Sequence, residues 1–305
     1  MKKSVFVRKT TLLAFLLLIL ACSIISAGEK GNYKGELRLP EEGVTQIIIS
    51  RGGSQMMGRI LEIKDDEVVF QSELGTTDIK ISDIKEIREI ASSSLKEGTY
   101  WFPNPNQTRM FLSPTGRMLR KGEGYFNDIY IFFPSVAYGI TDNITMGAGI
   151  TIIPGIDIDK QIMYFTPKIG VAAVENFSLA VSGLIFRIPK AYDWDNDDAM
   201  AVGIIFGTGT YGTPDKSISF GLGYGFVDDE LADKPAVMVG GEYRFARRAA
   251  FVSENWVFPG TDNPLISYGV RLFGEQMSID LGFFNTFGED MPAIGFPIID
   301  FVYNF

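Results

Sequence analysis

Charged side chains recur at alternating positions within apolar runs, and they are the residues best placed to do chemistry. Six share one strand face: Lys168, Glu242, Arg244, Arg271, Asp280 and Asp300. Two-residue alternation places them on the face of the strand that does not carry the large apolar side chains. Such a set could form a charged constriction that selects small solutes. It could equally consist of structural ion pairs within a narrow or plugged interior. The pattern favours the ion pairs and leaves the constriction open.

The acidic stretch "DWDNDD" offers alternating carboxylates, which suit a hard cation such as calcium. Its candidate ligands are Asp193, Asp195 and Asp197. An EF-hand requires Glu at the twelfth position, where the chain has Ile204, and its sixth position lacks Gly. We therefore predict a solvated loop, with weak divalent-ion binding as the alternative, and no cofactor.

The chain contains no histidine. A Ser–His nucleophile and a histidine general base are therefore excluded. The stretch "GTGTYG" (207–212) matches G-x-G-x-x-G, but it lies within a strand pattern and opens no helix. We predict that the protein is not an enzyme.

The N-terminus has the pattern of an export signal. A basic start precedes the apolar "TLLAFLLLILA", and small residues follow. We predict a signal peptide over 1–27; lipoprotein processing at Cys22 is the alternative. Cleavage after Ala27 removes four positive charges and no acids, so the net charge falls from −9 to −13 and no cysteine remains. Such an acidic chain is a poor nucleic-acid ligand.

Residues 44–92 contain short strand patterns separated by polar or glycine turns, which predict a small five-stranded module. The stretches "GRILEI", "EVVF" and "IKEIREI" resemble SH3-like or Sm-like modules. Cytoplasmic members of that family can bind RNA, but residues 41–90 carry eleven acids and six bases, so RNA is not predicted here. We predict a flexible lead-in over 28–43, a linker over 93–107, and a docking or spacer role for the module.

The stretch "SISFGLGYGF" (217–226) places large apolar side chains on one face and only Ser and Gly on the other. In a transmembrane barrel the large side chains face lipid and the small ones face the lumen. The residues predicted to face lipid are Phe220, Leu222, Tyr224, Leu281, Phe283, Phe301 and Tyr303.

Residues 108–305 divide into twelve such runs, the first at 108–114, the second at 125–140 and the last at 296–305. Short and long connections alternate between them, as in outer-membrane barrels with short periplasmic turns and long external loops. We therefore predict an all-β protein in which the module precedes an antiparallel transmembrane barrel of about twelve strands. Glu254 would lie on the same strand face as the apolar Val252 and Trp256, and this break in the alternation predicts a bulge.

Two details support the barrel. A two-residue turn at Glu275 and Gln276 pairs Arg271 with Asp280 inside the barrel. The chain ends in "IIDFVYNF", which resembles the terminal signal that the assembly machinery of bacterial outer membranes recognises. Its residues are Phe301, Tyr303 and Phe305.

The stretches "YWFPNPNQTR", "KGEGYF", "YGITDNITMGAG", "GLGYGFVD" and "VSENW" resemble Gram-negative outer-membrane barrel proteins that carry a small periplasmic module. The resemblance implies location and fold and supplies no activity. We predict a passive channel for small solutes in the outer membrane, surrounded by lipid and lipopolysaccharide. The alternative is a non-conducting structural or docking barrel whose residues 44–90 bind a periplasmic partner.

Overall fold

The structure is a computed structural model that describes residues 33–91, 94–96, 99–189, 200–288 and 291–305. The predicted signal peptide, including Cys22, lies outside these residues. The described chain forms two compact units, and the boundary in the sequence lies between Tyr100 and Trp101. Within the described ranges, no helix has the length and apolar character needed to cross a membrane.

The first unit is a five-stranded antiparallel sheet, as predicted. Its strands are β1 (Val44–Ser50), β2 (Gln55–Ile63), β3 (Glu67–Ser72), β4 (Gly75–Lys80) and β5 (Ile84–Ala91), in the spatial order β4-β3-β2-β1-β5. Ile48, Phe70 and Ile84 form its core and are fully buried. The Sm-like identity stays a prediction.

Residues 33–43, the described part of the predicted lead-in, lie against the five-stranded sheet. The backbone of Lys34 bridges to Glu86 on β5, and Tyr33 and Leu37 pack on the apolar core. Arg38 forms an ion pair with Glu89 at 2.6 Å, and this hydrogen bond lowers the pKa of the Glu89 carboxyl. The segment therefore completes the module.

The second unit is a closed antiparallel barrel of twelve strands. They are β6 (Gly124–Ile129), β7 (Phe133–Thr141), β8 (Ile144–Ile150), β9 (Met163–Phe165 and Lys168–Val174), β10 (Phe177–Ile188), β11 (Met200–Thr213), β12 (Lys216–Val227), β13 (Ala236–Ala246), β14 (Ala249–Val257), β15 (Leu265–Phe273), β16 (Met277–Asn285) and β17 (Phe296–Asn304). Each strand pairs with the next, and β17 pairs with β6 to close the ring. The closed sheet satisfies every strand edge.

Two strand predictions are wrong although the number of strands is right. Residues 108–114 do not join the sheet, and the predicted strand 125–140 is two strands joined by a short turn.

Five other short turns lie at the end of the barrel opposite this turn, where Gly124 and Phe305 pair through reciprocal backbone hydrogen bonds of 2.9 Å. We call this end the short-turn end and its opposite the long-loop end.

The strand faces follow the predicted alternation. Phe220 is 55% exposed on the outer surface, whereas its neighbour Ser219 is 1% exposed and points inward. Leu222, Tyr224, Leu281 and Tyr303 are also exposed outside, and Phe283 and Phe301 are half-buried at outward positions. These side chains form an apolar belt on the outer surface.

A charge placed in this belt distinguishes acyl chains from water as its solvent. Leu281 lies at the middle of β16, and Leu281→Arg at a bilayer midplane should cost about 2–4 kcal/mol of unfolding free energy. Chemical denaturation in lipid vesicles measures this cost. The control is Leu74→Arg at a fully exposed turn of the module, where the change should stay within about 0.5 kcal/mol. Equal effects at both positions would contradict a lipid-facing belt.

Candidate functional site

The interior of the barrel is occupied by the chain segment that precedes the first barrel strand. Trp101–Glu123, here called the lumenal segment, enters at the short-turn end, folds back near Ser113 and returns to Gly124. Its hairpin is held by the backbone hydrogen bonds Met110 N to Ser113 O, at 2.8 Å, and Thr115 N to Thr108 O, at 2.9 Å. Residues 101–107, at the end of the predicted linker, belong to the same compact unit as the barrel.

The lumenal segment is buried because the barrel wall is made of small residues where the two approach. A Cβ on Gly240 would lie 2.5 Å from the sulfur of Met110, and a Cβ on Gly282 would lie 3.1 Å from the ring of Phe111. Both contacts are closer than ordinary carbon contacts allow. The inward Gly and Ser residues of the wall therefore leave the space that this segment fills.

Arg271 joins the barrel wall to the lumenal segment. Its guanidinium binds both carboxylate oxygens of Asp280 at 2.7 Å, in the cross-strand register that the sequence predicts. A third bond of 2.7 Å reaches Glu242. The remaining N–H groups donate to three backbone carbonyls of the lumenal segment, on Asn106, Arg109 and Met110, at 2.8–3.2 Å. A fully buried cation is thus neutralised by two acids and saturated with acceptors.

A second arginine, from the lumenal segment itself, neutralises the next carboxylate. Asp300 lies directly opposite Asp280 on β17, so two buried acids are neighbours. Asp300 forms an ion pair with Arg109 at 2.7 Å, whereas Asp280 binds Arg271. Because each acid has its own arginine, removing the lumenal segment would leave Asp300 without this partner.

Glu254 fixes the tip of the hairpin. Its carboxylate accepts the backbone N–H groups of Leu112 and Ser113 at 2.9 and 3.0 Å, the Ser113 hydroxyl at 2.6 Å and the Trp256 indole N–H at 2.9 Å. The bulge predicted at this point is absent: Val252, Glu254 and Trp256 all point inward and pair without a register shift.

The six charged residues that the sequence places inside are all buried in the barrel. Glu242, Arg271 and Asp280 meet directly, and Asp300 joins them through Arg109. Arg244 lies nearer the short-turn end, where it pairs with Asp215 at 2.8 Å and donates to the carbonyl of Phe102. Lys168 lies apart and donates to the carbonyls of Thr108 and Arg117.

Sequence reasoning missed the residues that the lumenal segment contributes, namely Asn104, Asn106, Arg109 and Ser113. The side-chain amide of Asn104, for example, donates to Glu242 at 2.5 Å. One signal was present: Glu254 is an acid at an inward position of its strand, which requires donors from somewhere in the lumen.

The predicted metal candidates Asp193, Asp195 and Asp197 lie outside the described residues. In the part of the chain that is described, no cluster of three or more Cys, Asp or Glu side chains is arranged to hold a metal ion. The absence of a cofactor stays a prediction, as does the absence of enzyme activity.

Among solved structures, the chain is similar to two outer-membrane proteins. OmpF of Salmonella typhi, solved in complex with daunomycin, is 10% identical, with 86% of this chain and 95% of that chain covered and a TM-score of 0.33. OmpT, an outer membrane protein of Vibrio cholerae, is 12% identical over 86% and 95% of the two chains, with a TM-score of 0.31. No family model matches the chain, and no curated protein matches it significantly. The fold is that of a closed twelve-stranded antiparallel β-barrel joined to a separate five-stranded sheet.

Removing one acid from the arginine network should be costly. Asp280→Ala leaves Arg271 buried with one carboxylate fewer, which should lower the free energy of unfolding by about 3–5 kcal/mol. Denaturant titration of the folded barrel gives the change. Asp262→Ala, at an exposed loop position, is the control and should stay within about 0.5 kcal/mol. A change at Asp280 no larger than at Asp262 would show that the network does not stabilise the barrel.

Proposed function

We propose that the protein is an outer-membrane β-barrel closed by its own lumenal segment, which makes the state described here non-conducting. The observation that carries this proposal is the burial of Phe102, Met110, Phe111 and Leu119 inside the strand ring. Every backbone polar group of a membrane-spanning strand needs a partner, and the closed ring supplies one. The apolar outer belt suits acyl chains as its solvent.

The placement in the membrane follows from the loop pattern. Short turns characterise the periplasmic end of such barrels and long loops the external end. We therefore propose that the short-turn end faces the periplasm and that the five-stranded module lies in the same compartment. Lipopolysaccharide would surround the long-loop end. The terminal strand, with Phe301, Tyr303 and Phe305, would be the part that the assembly machinery binds.

A passive channel for small solutes is the second candidate. The observation that favours it is that the lumenal segment enters and leaves at the same end of the barrel. A hairpin with this topology can be withdrawn without threading a chain terminus through the ring. The channel would then be the form of the protein in which Arg271 and Glu254 have released their backbone partners.

The module would act as the docking element. Residues 41–90 carry eleven acids and six bases, and the described residues form a core of their own, so the module can present a fixed surface to a periplasmic partner. Deleting residues 44–90 should abolish co-purification of that partner while the barrel still shows heat-modifiable mobility. If the deletion abolishes the heat-modifiable gel mobility as well as co-purification of the partner, the module would instead be needed for barrel assembly.

Conductance separates the two functions. In planar bilayers the wild-type protein should give no single-channel steps, because the lumenal segment fills the ring. Replacing residues 104–118 by a Gly/Ser linker of equal length should produce steps. Replacing the loop 258–264 in the same way is the control, and it should remain silent.

Two results would contradict the proposal. Wild-type protein that conducts as well as the linker variant would show that the segment does not close the ring, and the passive channel would then be the function. A linker variant that inserts correctly but stays silent would show that something other than this segment blocks the path.

A further inference from the structure

A cavity of about 410 Å³ lies between the tip of the lumenal segment and the long-loop end of the barrel. Leu112 and Pro114 of the hairpin tip form part of its floor, and the wall strands surround it. This volume is in the range of small-molecule sites. Arg109, which is already paired with Asp300, also lines it, whereas Arg271 and Glu242 do not.

One side of the cavity is apolar. Leu184, Phe186, Ile204, Phe206, Trp256 and Leu265 line it. The rings of Phe206 and Trp256 meet edge to face with centroids 5.7 Å apart, so this wall is well packed. Such a surface binds the apolar body of a ligand and excludes water from it.

The other side carries a row of polar side chains on three neighbouring strands. Lys168 on β9 is paired in register with Thr145 on β8 and with Ser182 on β10. All three side chains line the cavity, and all three are more than nine-tenths buried. The hydroxyls of Thr145 and Ser182 have no hydrogen-bond partner among the described residues.

Lys168 lacks a counter-charge. Its ammonium donates to two backbone carbonyls, at Thr108 and Arg117, so at most two of its three N–H groups are satisfied. Within the described residues no carboxylate forms an ion pair with it. Glu254 also lines the cavity, but its oxygens are already held by four donors from Leu112, Ser113 and Trp256.

A buried cation without an acid and two unsatisfied hydroxyls are costly unless something binds them. We propose that the cavity binds a small amphipathic carboxylate. Its head group lies on Lys168 between Thr145 and Ser182, and its apolar body lies against Phe206 and Trp256. The apolar wall accounts for the body, and the ammonium between two hydroxyls accounts for one negative charge.

Medium-chain fatty acids are suitable probes. Octanoate and octanamide differ in charge and share the same apolar chain, so their difference in Kd isolates the head group. Isothermal titration of the protein in lipid nanodiscs, corrected for empty nanodiscs, should give octanoate about a tenfold lower Kd. ω-Bromo-octanoate should quench the fluorescence of Trp256, and Trp256→Phe should remove that quenching.

Two variants assign the head-group site. Lys168→Met should abolish the preference for octanoate over octanamide. Lys160→Met is the matched control: this lysine is half-exposed and paired with Asp157 at 3.2 Å, and its loss should leave the preference intact. Because Lys168 also binds the lumenal segment, the double variant Thr145→Val/Ser182→Ala provides a test that keeps the lysine. It should weaken the binding of octanoate several-fold and that of octanamide less, because hydroxyl hydrogen bonds to a charged acceptor are the stronger ones.

Equal binding of octanoate and octanamide by the wild type would overturn the inference. An unaltered preference for octanoate over octanamide in both the Lys168 variant and the double variant would also overturn it. The same holds if the Lys160 control loses this preference as fully as the Lys168 variant does. Binding is measured without current, so this result is independent of whether the lumenal segment blocks conductance.

Discussion

The structure of the barrel interior depends on the hydrogen bonds of one buried guanidinium. Arg271 is fully buried, and it contacts two acids of the wall and three carbonyls of the lumenal segment. A buried cation needs both neutralisation and a complete set of acceptors. The wall supplies the charge and the segment supplies the remaining acceptors, so neither part of the interior is complete without the other. A second ion pair also joins the two parts: Arg109 of the lumenal segment binds Asp300 of the wall.

This dependence accounts for the small wall residues at the points where the wall meets the lumenal segment. A Cβ on Gly240 would lie 2.5 Å from the sulfur of Met110 and one on Gly282 would lie 3.1 Å from the ring of Phe111, so a larger wall residue would displace these side chains. Small inward residues in a barrel are compatible with an open pore, but here they fit a second layer of chain. On the other side of the hairpin tip the wall combines large apolar and small polar residues, and the cavity beside Trp256 and Lys168 remains. The interior therefore has a filled half and a half that holds a pocket.

The fold could be predicted from the sequence because it depends on local alternation. Phe220 and Ser219 differ in exposure as two-residue periodicity requires. The turn predicted at Glu275 gives the observed cross-strand pairing of Arg271 with Asp280. The lumenal segment could not be predicted in the same way. Residues 108–114 resemble a short strand, and their partners lie far along the chain in the wall, at Lys168, Glu254 and Arg271. No local pattern encodes such contacts. Glu254 shows the limit clearly: its inward parity was visible, but its four donors were not.

Hydrogen–deuterium exchange of the lumenal segment, measured by mass spectrometry on the protein in lipid vesicles, tests most directly whether the interior is occupied as described. The backbone N–H groups of Leu112, Ser113 and Gly116 donate to Glu254 and Thr210 inside the ring. Peptides covering residues 106–118 should therefore exchange as slowly as the barrel strands. Exchange as fast as that of the exposed loop 258–264 would show that the segment lies outside the lumen, and the account of a self-closed barrel would be wrong.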